Sequence, residues 1–143
     1  MAVHWLYADD DGETHLTTVE LPPLTRTGDG VERVEGVDQV RMLKVPTLDL
    51  GLAQLDQQLP DMGVHAAPVR RIIILMAGAQ RIRSTSGDSV RMGPGDCLVV
   101  DDVGSSGHYS DDLGEGPIGL ATIQVPDDWV LPWRAPTRTT VEP

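Results

Sequence analysis

The sequence predicts a small all-β protein. Turn-forming residues recur at short, regular intervals, among them Pro22, Pro23 and the glycines of residues 104–107. Between the turns lie short runs in which apolar and polar residues alternate, such as residues 14–21 and 119–125. Many short alternating strands separated by turns are typical of a β-sandwich or a β-barrel.

The central part of the chain outlines successive strands and their turns. An apolar run at residues 72–75 precedes a second strand that begins at Gln80. Residues 87–88 mark a hairpin turn, and MGPGD at residues 92–96 marks a corner before the apolar run 97–100. Glycine and proline at such positions supply the backbone angles that tight turns need. We therefore predict antiparallel strands that enclose a pocket.

One segment is open to two interpretations. Leucines across residues 48–59 recur at spacings of four and three, which is the helical period. Pro46 and Pro60 bracket the segment and limit the length of any helix. A single helical turn and a short strand fit equally well.

Length and composition point to one domain. We assign the 143 residues to a single domain, with N-terminal strands within residues 1–60 and a proline-rich arm or tail at residues 132–143. The 22 acidic and 11 basic residues give a net charge of −11, which repels nucleic acid and anionic membranes. No apolar run approaches the roughly 20 residues of a membrane helix. The single Cys97 excludes an intramolecular disulfide, and we expect a cytoplasmic protein.

The stretch from His65 to His108 resembles the small single-domain bacterial cupins. In those proteins a His-x-Ala-Pro segment precedes a strand ending in Leu-Ser-Gly, a hairpin turn follows, and a Gly-Pro-Gly-Asp corner comes after it. The corresponding segments here are HAAP at 65–68, LMAG at 75–78, GD at 87–88 and GPGD at 93–96. The resemblance implies a cupin-type antiparallel β-barrel, also called a jelly roll or double-stranded β-helix, with both histidines facing its cavity.

The same resemblance bears on cofactors. Cupins commonly hold a divalent metal through a His-x-His pair, a Glu or Gln four residues further on, and a later His. Those positions fall on His65, Ala67, Arg71 and His108. Alanine has no donor atom, and a guanidinium has no lone pair and repels a cation. We therefore expect no cofactor, and we expect any metal that did bind to be held by His65 and His108.

Strand alternation indicates which side chains share the pocket. If His65 points inward, Arg71 lies on the same face. An arginine there either pairs with a carboxylate of the barrel, or is moved into solvent by a register shift, or binds an anionic oxygen of a substrate. Our interpretation makes His65 and His108 an acid/base pair and Arg71 the group that binds substrate and stabilises negative charge.

Three further residues are candidates for substrate binding because each could reach the cavity with a polar group. They are Gln80, Tyr109 and Gln124. The adjacent carboxylates Asp101 and Asp102 are interpreted instead as solvated loop charges. Trp5 and Tyr7, expected to lie exposed on an edge strand, predict a homodimer.

Three functions are compatible with this pocket. The first is a metal-independent enzyme, for example a biosynthetic tailoring enzyme, that isomerises, dehydrates or cyclises a small molecule by proton transfer. The second is a metal-dependent dioxygenase or lyase in which a nonstandard donor such as Gln80 completes the two histidines. The third is a noncatalytic binding or sensory module. The resemblance allows all three, since a fold alone does not select a reaction.

Overall fold

The computed structural model describes residues 1–23 and 40–136. In these two segments the chain forms nine β-strands and no helix, so no described helix could span a membrane. The strands are Val3–Ala8 (β1), Thr14–Val19 (β2), Asp49–Leu55 (β3), Arg71–Ala77 (β4), Gln80–Ser84 (β5), Ser89–Met92 (β6), Cys97–Asp101 (β7), His108–Asp112 (β8) and Ile118–Gln124 (β9). The all-β class predicted from alternation and turn spacing is confirmed.

The strands form two separate sheets that pack face to face as a jelly-roll-like sandwich. The larger sheet has the order β2-β1-β7-β4-β9-β3, and the smaller one has the order β6-β5-β8. Neighbours are antiparallel except β1 and β7, which run parallel. The prediction of a closed barrel is not met. Within the described chain, β8 pairs with β5 on one side and meets only a one-residue bridge, His65 to His108, on the other.

A hydrophobic core fills the space between the two sheets. Leu6, Leu75 and Leu98 of the larger sheet pack with Ile82 and Met92 of the smaller one, and each is almost fully buried. Burying an apolar side chain of this size stabilises the fold by roughly 1.5–3 kcal/mol. The period-2 pattern read from the sequence therefore separates an inner face from an outer one.

The outer face of the larger sheet carries a second apolar cluster. Trp5, Ile72 and Val99 lie in it, and the segment that follows β9 covers it with Trp129 and Trp133. The Trp133 indole N–H donates to the carbonyl of residue 20 at 2.7 Å. The start of the predicted tail is thus an ordered arm, and residues 137–143 lie outside the described residues.

The N-terminal strand differs from the prediction. β1 lies between β2 and β7 rather than at an edge, and Trp5 is only 6% exposed. The exposed edge at Trp5 and Tyr7 that predicted a homodimer is therefore absent. The physical reason is the parallel pairing with β7, a strand far along the chain that no local pattern connects to β1.

The ambiguous segment after Pro46 is a strand. β3 is an edge strand of the larger sheet and pairs, among the described residues, only with β9. Leu48, Leu50 and Leu52 are 64%, 57% and 75% exposed. The apolar edge of the molecule therefore lies at β3.

Candidate functional site

His65 and His108 meet at one end of the sandwich. Their backbones form a two-bond antiparallel bridge, with N–H to carbonyl distances of 3.0 and 2.9 Å. The two imidazole rings lie 4.6 Å apart between centroids, with their planes tilted by 55°. The two central histidines of the sequence are thus neighbours in space, as the resemblance to cupins implied.

Asp102 holds the ring of His108. Nδ1 of His108 lies 2.6 Å from Oδ2 of Asp102, whose carboxylate has no exposed surface. The other oxygen, Oδ1, accepts the Ala67 N–H at 3.2 Å. Because an ionised carboxylate can only accept hydrogen bonds, Nδ1 is the donor and Nε2 keeps its lone pair. His108 is therefore fixed in the tautomer that can accept a proton.

The interpretation of Asp101 and Asp102 as solvated loop charges is wrong. Asp101 pairs with Arg70 at 3.0 Å, and Asp102 is completely buried beside His108. The chain turns back just after β7, so a residue that the pattern places beyond the strand still points into the sandwich. One sequence signal could have identified Asp102 as a partner of His108. It is an acidic residue that comes directly after an apolar strand and six positions before a histidine.

His65 is oriented by a backbone carbonyl. Its Nδ1 lies 3.1 Å from the carbonyl oxygen of Gly63, so this nitrogen also donates and Nε2 is again the acceptor. Two imidazolium charges 4.6 Å apart would repel by roughly 3–4 kcal/mol at the effective dielectric of a protein surface. The two rings are thus close enough for a charge on one to act directly on the other.

Gly107 permits the close approach of the two histidine segments. It has a φ of +90°, and a Cβ at this position would lie 2.6 Å from the carbonyl carbon of His65 and 2.9 Å from the nitrogen of Ala66. Real Cβ atoms do not approach backbone so closely, and only glycine adopts this φ without strain. The histidine bridge depends on a glycine here.

The loop before His108 is anchored to the β1–β2 hairpin. The Thr14 hydroxyl donates to the Gly107 carbonyl at 2.6 Å, and the N–H and hydroxyl of Ser106 both donate to the Gly12 carbonyl at 2.8 Å. The sequence of this loop, Gly-Ser-Ser-Gly at residues 104–107, is typical of a flexible connection. The hydrogen bonds instead fix the backbone that positions His108.

Arg71 and Gln124 lie together in a separate cavity on the inner face of the larger sheet. They are opposite each other on β4 and β9. The cavity has a volume of about 210 Å³, and His65 and His108 do not line it; its walls are Asp49, Gly51, Val69, Arg71, Thr122 and Gln124. Nε of Arg71 is buried and has no hydrogen-bond partner among the described residues.

The other two predicted binding residues lie away from the histidine pair. Gln80 is buried at the opposite end of the β5–β8 ladder from His108, four residues or about 13 Å along the strand. Tyr109 follows His108 and so faces the other side of the small sheet, where the Arg83 guanidinium lies 4.5 Å from the ring centroid. The pocket that the sequence predicted as one is therefore divided.

The donors at the histidine pair do not fit a cupin-type metal centre. Both oxygens of Asp102 are already engaged, which leaves two imidazoles, and two imidazoles alone bind divalent ions weakly. Across residues 1–23 and 40–136, three potential ligand atoms come together only at Asp9, Glu13 and His15 on the β1–β2 hairpin. There, Nε2 of His15 lies 2.8 Å from Oδ2 of Asp9.

Comparison with known proteins includes a weak likeness to a solved structure. No family model and no curated protein sequence matches the chain. Among solved structures, the chain is similar to the crystal structure of protein NMB1881 from Neisseria meningitidis, with 19% sequence identity and a TM-score of 0.42 over 54% of this chain and 72% of that one. At that score the likeness establishes neither a shared fold nor a shared function.

Proposed function

We propose that the protein is a metal-independent enzyme with a cupin-like fold that isomerises, dehydrates or cyclises a small organic molecule by proton transfer. The observation that carries this proposal is the 2.6 Å contact between Nδ1 of His108 and the buried carboxylate of Asp102. A carboxylate in this position fixes the tautomer of the imidazole and stabilises the imidazolium that forms when Nε2 takes a proton.

In the proposed reaction His108 is the base. Nε2 of His108 takes a proton from a substrate carbon next to a carbonyl, and the electron pair of the broken C–H bond moves onto the carbonyl oxygen. His65, which has a carbonyl rather than a carboxylate on Nδ1, acts as the acid in its protonated form and donates a proton to that oxygen. In an isomerisation the proton on His108 goes to a different carbon of the enol, while the enol O–H returns its proton to His65 and the carbonyl re-forms. In a dehydration the β-hydroxyl takes the proton from His108 and leaves as water, while the enol O–H returns its proton to His65.

The test is deuterium exchange from D₂O into carbonyl compounds, followed by ¹H NMR. Pyruvate, 2-oxobutyrate and acetoacetate are suitable probes because each carries protons next to a carbonyl. We expect the wild-type protein to accelerate exchange and His108→Gln to lose about 10²–10⁴-fold, the usual contribution of a general base. His15→Gln is the matched control, because His15 also contacts an aspartate but lies on the hairpin.

Two results would overturn the proposed function. One is exchange by His108→Gln at the wild-type rate. The other is wild-type protein that accelerates exchange of none of the probes, which would favour a noncatalytic binding or sensory module. That second candidate has its own support in the Arg71 cavity, where a buried guanidinium nitrogen lacks an acceptor among the described residues.

A homodimer in the cytoplasm remains part of the proposal, now with a different surface. The support is β3, an edge strand whose outer leucines are more than half exposed. Two copies of such a strand can pair antiparallel about a two-fold axis and bring their leucines together. We expect a dimer mass by light scattering and a monomer mass for Leu52→Glu, with the exposed Met62→Glu as control. A monomeric wild-type protein at tens of micromolar would contradict the dimer.

A further inference from the structure

We infer that the cavity around Arg71 binds the carboxylate of a small substrate that carries a single negative charge. The inference names the substrate class of the proposed reaction, and it rests on the proposed function only for the position of the carboxylate relative to His108.

The two adjacent arginines at the start of β4 differ in their partners. Arg70 lies on the outer side; its buried Nε also lacks an aligned hydrogen bond, but it is 3.0 Å from an oxygen of Asp101, and Nη1 of the same guanidinium donates to the Trp129 carbonyl at 2.5 Å. Arg71 points to the inner side, and within the described residues its buried Nε has no hydrogen bond and no carboxylate pairs with it. A buried donor left unsatisfied destabilises the protein, and more so when it is charged, so an acceptor that enters the cavity relieves this cost.

The walls supply the remaining groups that a carboxylate needs. Gln124 lies directly opposite Arg71 on β9, and Thr122 is two residues away on the same face. A guanidinium forms two parallel hydrogen bonds to a carboxylate, and neighbouring amide and hydroxyl groups can donate to it as well. The volume of about 210 Å³ equals that of about seven water molecules, which suits a molecule of a few carbon atoms.

The charge of the cavity sets the charge of the ligand. Asp49 lines the same cavity from its exposed rim, so one fixed positive group faces one negative group. A second carboxylate on the ligand would meet Asp49 and be repelled. A monocarboxylate is therefore favoured over a dicarboxylate of similar size.

The register of the larger sheet relates this cavity to the histidines. Arg71 pairs with Val100 of β7, and Asp102 lies two residues further along the same chain. In a sheet this places Asp102 about 7 Å along the strand and about 5 Å across from Arg71. A carboxylate bound to the long arginine side chain would thus leave the neighbouring carbon atoms close to the histidine pair.

The test is an NMR titration of the protein with butyrate and with succinate. We expect butyrate to shift the backbone amides of β4 and β9 saturably, and succinate to bind more weakly. Arg71→Leu is expected to weaken butyrate binding at least tenfold, and Arg71→Lys, which keeps the charge but loses the two-pronged geometry, is expected to lie between. The control is Arg81→Leu, which removes an exposed positive charge from β5 of the other sheet.

The outcomes separate this inference from the proposed function. If His108→Gln still binds butyrate while exchange fails in every protein, the Arg71 site stands and the proton-transfer function fails. Unchanged butyrate binding in a folded Arg71→Leu variant would overturn the inference, as would wild-type protein that shows no saturable shift. Tighter binding of succinate than of butyrate would overturn the single-charge assignment.

Discussion

The molecule contains two histidine–aspartate pairs of nearly equal length in different surroundings. His15 and Asp9 meet at 2.8 Å on the β1–β2 hairpin, and His108 and Asp102 meet at 2.6 Å at the end of the sandwich. The Asp9 side chain is 25% exposed, whereas that of Asp102 is completely buried. The pairs also use opposite ring nitrogens, Nε2 in His15 and Nδ1 in His108.

The difference between the pairs shows how surroundings assign a role to the same two residue types. The second oxygen of Asp9 accepts the N–H groups of Asp11 and Glu13, so the first pair closes a turn. The hydrogen bond from His15 lowers the pKa of Asp9, which keeps that carboxylate ionised in the turn. Asp102 instead joins the Ala67 backbone to a ring that faces another imidazole. The buried pair is therefore the one to which we assign a role in the proposed proton transfer.

The largest effect is expected from Gly107→Ala, which breaks the buried pair and leaves the hairpin pair intact. Its Cβ would overlap the His65 backbone, so strands must separate, and we expect a loss of about 3–5 kcal/mol of unfolding free energy. Gly87→Ala is the control, because Gly87 has a φ of +99° but no neighbour within 4 Å. Urea denaturation measures both variants. Equal losses would mean that the close approach at Gly107 is unimportant.

Next in size is Asp102→Ala, which leaves the His108 Nδ1–H and the Ala67 N–H without their acceptor. We expect about 2–4 kcal/mol of destabilisation, because two buried donors become unsatisfied. Asp9→Ala on the partly exposed hairpin is expected to cost less. Thermal unfolding compares the two variants, and a greater loss for Asp9→Ala would reverse the ranking of the pairs.

The smallest effect concerns His4, a buried histidine whose Nδ1 contacts the Thr18 hydroxyl instead of a carboxylate. Burial lowers the pKa of His4, and the charge of Asp96 offsets this only in part. The unfolded chain then binds a proton more readily than the folded protein, so the His4 contribution to stability is present above about 6.5 and is lost as the pH falls below it. Unfolding free energies of wild type and His4→Gln should diverge in this window. Parallel pH profiles would refute the assignment to His4.

Local features of the fold could be predicted from the sequence, and distant contacts could not. The turn at residues 87–88 and the corner at residues 92–96 follow from backbone preferences of glycine and proline, and both separate strands as expected. The parallel contact of β1 with β7 depends on segments far apart in sequence. This pairing places β1 inside the sheet, so the edge predicted at Trp5 is absent. The sequence could not show this, because no local rule reveals which distant strand will pair with another.

The same dependence on distant contacts explains why residues predicted to share one pocket lie at separate sites in the structure. The resemblance to cupins implied that His65 and His108 lie close together, and alternation placed Arg71 on the inner face. Alternation does not reveal how far along the sheet two inward residues lie, so Gln80 was grouped with histidines at the other end of its strand. Asp102 was missed because burial of a charged residue just after a strand depends on a partner from the neighbouring element.

The tautomers of His108 and His15 provide the most direct test of the role assigned to Nε2 of His108. Long-range ¹H–¹⁵N correlation spectra at mildly alkaline pH distinguish a protonated ring nitrogen from one with a lone pair. We predict a protonated Nδ1 and a lone pair on Nε2 for His108, and a protonated Nε2 for His15, with the His108 pattern disturbed in Asp102→Asn. A protonated Nε2 on His108 in the wild-type protein would contradict the assignment of this nitrogen as the catalytic base.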